Sequence, residues 1–268
     1  MDFERTNTKI SLLEDYYSHF DEDSRLKGRH GMVEYLTNLK YINYYLNNNH
    51  DLKIIDIGCG TGVYSIELFN QGYDIIACDL VKYNLDILNK KEPRIKTYQA
   101  NATNLKMFKD NSFDVAILFG PIYHLLNDED KIKALSEAKR IVKNNGIIFI
   151  SYYMNDYAVI SYGFIKKNIL KAKMEGRLDE NYHIINKQDD LFSMVRLDDI
   201  NRFNELLGFE RIKIAASDGA SDYLRVVLNS LSEEEFKCFI DYHQANCERI
   251  ELLGSSSHLL DIVRVRKE

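Results

Sequence analysis

The sequence predicts an α/β protein built on a doubly wound, mainly parallel β-sheet. From residue 51 onwards, short apolar strands alternate with amphipathic helices. A glycine-rich turn follows the first of these strands, and the fourth, at residues 113–119, is apolar almost throughout. Such continuous apolar strands are typical of the centre of a parallel sheet, which helices cover on both faces.

Residues 1–50 are polar, rich in tyrosine and predicted to be helical. Val33, Leu36 and Leu39 begin an apolar repeat of three or four residues, which Asn47-Asn48-Asn49 ends. The strands predicted next span 53–57, 73–79, 94–99, 113–119 and 147–153. The helices between them span 61–70 and 82–90, and a further one is capped by Asn127 or Asp128 and ends at Asn145-Gly146.

The alternation stops at residues 155–195, which are rich in Lys, Tyr and Asn. Apolar residues persist there, including Val159, Phe164 and Leu170, and so we expect helices lying over the sheet edge. A helix at 198–207 should turn Ile200, Phe203 and Leu206 inward. A strand at 209–215, a helix at 232–250 and a strand at 259–265 follow. The predicted division is an α/β core at 51–154 and 197–268, with helical cap segments at 1–50 and 155–196.

Composition narrows the possible partners. The chain has 35 Lys and Arg against 41 Asp and Glu, a net charge of −6, which disfavours a protein that grips nucleic acid through phosphates. The longest apolar run is far short of a membrane span, and no export signal is evident, so we expect a cytoplasmic protein without a membrane partner. Four cysteines and seven histidines form no compact ligand pattern, and no metal site is predicted.

The main functional signal is Asp56-Ile57-Gly58-Cys59-Gly60-Thr61-Gly62, at the carboxyl end of the first strand. Glycines there allow a sharp turn and close approach of a ligand to the backbone. The spacing differs from the dinucleotide pattern G-x-G-x-x-G, because position 63 is Val63. Asp56 would repel a pyrophosphate, whereas it can order the loop and attract an ammonium group. A ligand with an amino-acid end therefore fits better than a dinucleotide.

Two further positions extend this interpretation. Asp79 ends the second strand, where a carboxylate can accept hydrogen bonds from two ribose hydroxyls. Asn101-Ala102 follows the third strand, where a short polar side chain can reach an adenine edge. The alternatives are a strand–helix turn without a ligand and an Asp79 that only caps a helix.

The loop and the terminal Asp of the second strand together resemble class I S-adenosylmethionine-dependent methyltransferases. The core resemblance covers about residues 50–150 and 197–266. It implies a seven-stranded Rossmann-like sheet whose last strand is antiparallel. Gly120-Pro121-Ile122-Tyr123-His124-Leu125 is similar to a stretch found in a bacterial subgroup of that family, as are Tyr16-Tyr17 and segments 22–26 and 253–258.

The resemblance implies S-adenosyl-L-methionine as cofactor. Gly58 to Gly60 would hold its methionine part, Asp79 and Leu80 its ribose and adenine, and Phe119 would lie below the sulfonium. The family often has Asp at the position of Asn101, where the amide of this chain can both donate and accept hydrogen bonds. The full predicted set is Tyr17, Arg25, Asp56, Gly58, Cys59, Gly60, Thr61, Asp79, Leu80, Asn101, Ala102 and Phe119.

Tyr123 and His124 are the candidate catalytic residues, because they follow the fourth strand at the ligand-binding end of the sheet. A purely structural role for both is the alternative. We therefore expect a methyltransferase that transfers a methyl group in line to a small-molecule acceptor. RNA or protein methylation, a non-catalytic cofactor-binding protein and a dinucleotide oxidoreductase remain as other hypotheses.

Overall fold

The computed structural model describes residues 11–17, 19 and 28–267, which contain one seven-stranded sheet. Its strands are β1 (Lys53–Ile57), β2 (Asp74–Asp79), β3 (Lys96–Gln99), β4 (Phe113–Leu118), β5 (Val142–Tyr153), β6 (Glu210–Ala216) and β7 (His258–Arg264). Their spatial order is β3-β2-β1-β4-β5-β7-β6. Strands β1 to β5 pair in parallel, and β7 runs antiparallel to both β5 and β6. The predicted fold class and the antiparallel last strand are confirmed.

Helices cover the sheet, and residues 11–17 are also helical. The helices are α1 (Arg29–Leu46), α2 (Val63–Asn70), α3 (Lys82–Lys91), α4 (Pro121–His124), α5 (Asp128–Ile141), α6 (Asn155–Ala158), a π-helix (Val159–Ile165), α7 (Ile169–Met174), α8 (Leu197–Leu207), α9 (Arg225–Ser230), α10 (Glu233–Asn246) and α11 (Ile250–Leu253). None of the helices in the described part of the chain is long and apolar enough to cross a bilayer.

Local chemistry explains several helix ends. Helix α1 ends at Asn47, whose φ of 49° is the left-handed conformation that asparagine tolerates better than most residues. The Asn127 side chain accepts a hydrogen bond from the Asp130 amide and so caps α5. Ser232 and Glu235 form a reciprocal capping box at α10. These ends agree with the sequence prediction to within a few residues.

The strand order reverses between β1 and β4, which are neighbours in the sheet although β2 and β3 intervene in the chain. Side chains of both strands are buried, including Ile54 and Ile55 of β1 and Ala116 and Ile117 of β4. Helices leave towards opposite faces at such a reversal and open a crevice at the carboxyl ends of the strands. The loops predicted to bind a ligand lie at this edge.

Two predictions about the core are wrong. Strand β5 begins at Val142 rather than at residue 147, because Val142 pairs with Phe113 before the register shifts and Ile147 pairs with Val115. Asn145-Gly146 therefore lies within the strand and does not separate it from α5. Leu206 is 62% exposed instead of facing inward, because Ile200 and Phe203 already fill the buried face of α8.

The prediction of helices throughout residues 155–195 is also wrong in its second half. Helix α7 gives way to Gly176, which has a φ of 64°, and residues 176–196 contain no helix. The Asp179 side chain accepts hydrogen bonds from the amides of Asn181 and His183, which stabilises a turn in place of a helix. Several apolar residues expected to pack, including Phe164 and Leu170, are exposed.

Candidate functional site

A cavity of about 1030 Å³ opens at the carboxyl ends of β1 to β4. Every described residue of the predicted cofactor set lines it, together with Tyr123 and His124. Arg25 lies outside the described residues. The cavity is bordered on one side by residues 12, 13 and 17 of the N-terminal segment and on another by residues 186–188. The fold thus gathers residues spread over more than 100 positions of the sequence around one opening.

The loop after β1 needs glycine for two different reasons. Gly58 has a φ of +75°, and a Cβ there would lie 2.4 Å from Cγ of Pro121, so the loop and the start of α4 are in direct contact. Gly60 has a φ of +53°, and no heavy atom lies within 4 Å of where its Cβ would be. Gly60 therefore leaves open space beside the loop, as a closely approaching ligand requires.

Asp79 organises this loop from the neighbouring strand. Its Oδ2 accepts a hydrogen bond from the Gly60 amide, and its Oδ1 accepts one from the Val81 amide, both at 2.8 Å. The Asn84 side-chain amide is a third donor, at a longer 3.4 Å from Oδ1. A carboxylate has about four acceptor sites, so Asp79 can still accept a hydroxyl donor from the cavity. Burial raises the pKa of Asp79, while these backbone hydrogen bonds oppose the shift. Asp79 thus positions the loop and presents its carboxylate to the cavity at once.

Asp56 lies near the end of β1, where it is 2% exposed. The Ser65 hydroxyl of α2 donates to its Oδ2 at 2.6 Å. Burial raises the pKa of Asp56 to about 7, with the negative charge of Asp79 adding to the effect and the Ser65 hydrogen bond opposing it. Asp56 joins the strand to the following helix and so fixes the loop between them.

The raised pKa of Asp56 predicts a pH-dependent stability. The folded protein holds this proton more tightly than the unfolded chain, whose Asp pKa is near 3.8. The contribution of Asp56 to the free energy of unfolding is therefore full below about pH 4. It falls by ~1.4 kcal/mol for each pH unit as the pH rises towards 7, and it levels off above that pH. Melting temperatures from pH 4 to 8 should show this fall in the wild type and a smaller one in Asp56→Asn. Equal slopes in the two proteins would contradict the assignment.

Cys59 lines the cavity but is unsuited to nucleophilic chemistry. Burial raises the pKa of its thiol well above the ordinary value, and the charges of Asp79 and Asp56 raise it further. Its backbone amide and that of Gly58 both donate to the Cys78 carbonyl oxygen, at 3.0 and 2.7 Å. The helix N-terminus therefore does not activate Cys59, and these two amides shape the turn.

The opposite end of the cavity is formed by the segments after β2 and β3. The Asn101 side-chain oxygen accepts hydrogen bonds from the Thr103 amide at 3.0 Å and the Thr103 hydroxyl at 2.9 Å. Asn101 thus builds its own turn and keeps its amide nitrogen as the donor for a ligand. Leu80 and Ala102 add an apolar surface there. Phe119 packs edge-on against Tyr64 at 5.0 Å between ring centroids, on the cavity wall.

His124 is held at both ring nitrogens. Nδ1 lies 2.9 Å from the Leu191 carbonyl oxygen, and Nε2 lies 2.8 Å from the Tyr17 hydroxyl. A carbonyl only accepts, so Nδ1 carries the proton of the neutral ring and Nε2 accepts from Tyr17. Tyr123 packs its ring against His124 and Phe192, and its carbonyl oxygen accepts the Ser193 amide. Helix α4 thus contacts both the N-terminal segment and residues 191–193.

A cluster of ionisable residues near Tyr123 was not predicted from the sequence. The Nδ1 atom of His258 lies 2.8 Å from Asp218 Oδ2 and 3.7 Å from Glu34 Oε2, and Glu34 lines the cavity. The Ser256 hydroxyl also donates to Asp218, at 2.6 Å. The three ionisable residues come from α1, the segment after β6 and the first residue of β7, so no local pattern joins them. Tyr64 and Asn84 also line the cavity and were not predicted, although each lies in the first turn of the helix that follows β1 or β2.

The site suits a nucleoside joined to an amino acid. Asp79 offers acceptors for vicinal hydroxyls, Gly60 leaves open space beside the backbone, and the wall near Leu80 and Ala102 is apolar. A pyrophosphate would need the amides of the loop as donors, but those of Gly58 and Cys59 already donate to the Cys78 carbonyl oxygen and that of Gly60 donates to Asp79. The arrangement therefore fits S-adenosylmethionine and disfavours a dinucleotide.

Comparison with known proteins agrees with this geometry. Residues 55–150 match the sequence profile of a family described as "Methyltransferase domain". The chain contains a methyltransferase domain. Its fold is that of the class I enzymes of this type, whose cofactor is S-adenosylmethionine. The matched residues run from β1 to β5, so the methyltransferase domain includes the glycine loop, Asp79, Phe119 and His124.

Curated relatives are similar to part of the chain. A demethylmenaquinone methyltransferase of Paenarthrobacter aurescens (strain TC1) is 36% identical over 102 residues, 38% of each chain. A ubiquinone biosynthesis O-methyltransferase of Rickettsia bellii (strain OSU 85-389) is 32% identical over 115 residues, 42% of this chain and 47% of the relative. The chain thus spans less than half the length of these relatives. The structure of a SAM-dependent methyltransferase from Archaeoglobus fulgidus matches with a TM-score of 0.54 at 18% identity, over 86% of this chain and 94% of that one.

Proposed function

We propose that the chain is an S-adenosylmethionine-dependent methyltransferase acting on a small-molecule acceptor. The observation that carries the proposal is the Asp79–Gly60 hydrogen bond, which shapes the loop while turning a carboxylate towards a cavity of about 1030 Å³. Tyr17, Asp56, Thr61 and Phe119 complete the proposed cofactor site. When bound, the cofactor supplies an electrophilic methyl group on a sulfonium.

The protein's own contribution is alignment and exclusion of water. A sulfonium is a good leaving group, so the reaction requires the acceptor atom to be held in line with the methyl group and kept dry. In this proposal, residues 1–50 and 155–196 act as a cap over the sheet. Its parts already meet at the cavity, because the Tyr17 hydroxyl contacts His124 and the His124 ring contacts the Leu191 carbonyl.

A small acceptor is favoured over RNA by the charge of −6 and by the relatives, one named for demethylmenaquinone and one for ubiquinone biosynthesis. A protein that binds the cofactor without turnover is the other candidate. Incubating the chain with S-adenosylmethionine and a panel of amines, phenols and carboxylic acids separates the two. The expected result is acceptor-dependent formation of S-adenosylhomocysteine, measured by mass spectrometry. Binding of the cofactor without turnover on any acceptor would contradict methyl transfer.

An acceptor that must lose a proton could use the Tyr17–His124 pair. Tyr17 lines the cavity, and its hydroxyl is hydrogen-bonded to His124 Nε2. The Tyr17 oxygen can therefore accept a proton from the acceptor while the hydroxyl proton of Tyr17 passes to Nε2. The Leu191 carbonyl accepts from Nδ1 and stabilises the charged ring. His124→Gln should lower kcat by about 10²- to 10⁴-fold with little change in cofactor affinity.

Tyr17→Phe provides the matched test, because it removes one hydroxyl and keeps the ring. If the pair works as a unit, the double variant should be no slower than the slower single variant. A lower melting temperature with unchanged turnover per folded molecule would show that His124 is structural. Loss of cofactor affinity in Tyr17→Phe would assign Tyr17 to the cofactor instead of the proton path.

A further inference from the structure

Residues 164–174 form an exposed surface that combines apolar and basic side chains. Two of its apolar residues lie at the end of the π-helix and two on α7. These are Phe164, Ile165, Leu170 and Met174, which are 56, 61, 73 and 84% exposed. Between and beside them lie the exposed lysines Lys166, Lys167, Lys171 and Lys173. We call residues 164–174 the basic–apolar surface.

The charge of the basic–apolar surface opposes that of the whole chain. No Asp or Glu occurs between residues 157 and 174, whereas the full chain has a net charge of −6. Lys171 lies 4.0 Å from Glu175 and keeps its side chain 62% exposed, and Lys173 donates to the Tyr182 hydroxyl at 3.3 Å. The surface is therefore a local cationic patch, and the ligand that complements it is anionic.

The exposed side chains are presented by packed backbone. Ala172 of α7 is buried, and the Ile169 side chain lies close to Gly163, where an added Cβ would sit 3.0 Å from Ile169 Cδ1. Leu170 and Met174 are four residues apart, so they share one face of α7 and point away from this packing. The fold thus fixes the inner face of the segment and directs the apolar residues outward.

We propose that the basic–apolar surface docks the protein onto the surface of an anionic lipid bilayer. Aliphatic and aromatic side chains enter the boundary between headgroups and acyl chains, while neighbouring lysines are attracted to the anionic headgroups. A nucleic acid would use the lysines but leave the exposed Leu170 and Met174 in water. A second copy of this surface would bring its lysines against those of the first.

This contact does not require a membrane-spanning helix. The expectation of no membrane partner rested on the lack of a long apolar run, which an interfacial surface does not need. The surface is also joined to the cavity, because Lys187 lines the cavity and its Nζ donates to the Glu175 carbonyl oxygen at 2.9 Å. Docking would therefore bring the cavity rim close to the lipid, whether or not the acceptor is lipophilic.

The sequence contains no tryptophan, so a single introduced tryptophan reports on its own position. Leu170→Trp should shift its emission to shorter wavelength on adding vesicles of phosphatidylcholine and phosphatidylglycerol, and doxyl-labelled lipid should quench it. Ile250→Trp is the matched control, because Ile250 is 75% exposed on α11 and lies outside this surface. Its emission should not change. Equal responses of the two reporters, or none from Leu170→Trp, would contradict the proposal.

A charge variant tests the electrostatic part in the full chain. Lys166→Gln/Lys167→Gln/Lys171→Gln should weaken partitioning onto the anionic vesicles by roughly 100-fold in vesicle sedimentation. The control variant changes the net charge equally at three exposed lysines elsewhere, as Lys90→Gln/Lys96→Gln/Lys237→Gln. Its partitioning onto the anionic vesicles should stay within about twofold of that of the wild type. Leu170→Ser/Met174→Ser should also weaken binding. Equal loss in both lysine variants, no effect of the apolar variant, or equal binding to pure phosphatidylcholine would overturn docking at this surface.

Discussion

Asp79→Ala is expected to weaken binding of S-adenosylhomocysteine by at least about 100-fold, measured by isothermal titration calorimetry. The variant removes the proposed acceptor for two ribose hydroxyls, and hydrogen bonds to a charged group each contribute about 1.5–3 kcal/mol. It also leaves the Gly60 and Val81 amides without their acceptor, so the loop loses its anchor. The same change should lower the free energy of unfolding by about 1–3 kcal/mol for each amide left unsatisfied.

Asp74→Ala is the control, because Asp74 is an exposed residue at the start of the same strand, β2. It should bind as the wild type does. Asp79→Asn keeps the shape of the side chain and one acceptor oxygen, so its affinity should lie between those of the wild type and Asp79→Ala. A folded Asp79→Ala protein with unchanged affinity would contradict the site assignment.

Substituting alanine for Gly58 should mainly lower stability, whereas substituting it for Gly60 should mainly lower cofactor affinity. Gly58→Ala combines a positive φ with a Cβ placed 2.4 Å from Cγ of Pro121. It should lower the free energy of unfolding by about 3 kcal/mol and the melting temperature by roughly 10 °C. Gly60→Ala should lower the free energy of unfolding by only about 1 kcal/mol, because the positive φ is its one source of strain. Its methyl group, however, enters the open space beside the loop. Gly60→Ala should therefore lower cofactor affinity at least tenfold with a small change in melting temperature.

Gly176→Ala isolates the backbone effect. Gly176 also has a positive φ, of +64°, no heavy atom lies within 4 Å of its hypothetical Cβ, and it is not among the cavity residues. It should lower stability as much as Gly60→Ala does and leave cofactor affinity unchanged. A melting temperature of Gly58→Ala close to the wild type, or full affinity in Gly60→Ala, would contradict the loop geometry described above.

The parts of the fold that the sequence predicted are those determined by local patterns. Strand β1, the glycine loop and the cap at Asn127 follow from alternation, glycine spacing and side-chain capping, and they place Asp56, Asp79 and Phe119 at one edge. A parallel sheet brings the carboxyl ends of its strands together, so the part of the cavity around Gly60, Asp79 and Phe119 could be predicted without coordinates.

The part of the site around Glu34 and His124 could not be predicted in this way. Glu34, Asp218 and His258 meet only because α1, the segment after β6 and the start of β7 converge in three dimensions. The irregular course of residues 176–196 depends on the turn at Asp179 and on the contact between His124 and Leu191, neither of which has a periodic signal. Leu206 fitted the helical period but lies outside, because period alone does not set the width of a buried face.

We propose that the loop after β1 and Asp79 together bind a nucleoside joined to an amino acid. A crystal structure of the chain soaked with S-adenosylhomocysteine would test this proposal. We expect the ribose hydroxyls on the Asp79 carboxylate, the amino-acid end beside Gly58 and Gly60, and the adenine near Leu80 and Asn101. Ligand bound elsewhere, or a crevice at β1 and β2 closed by protein side chains, would contradict it.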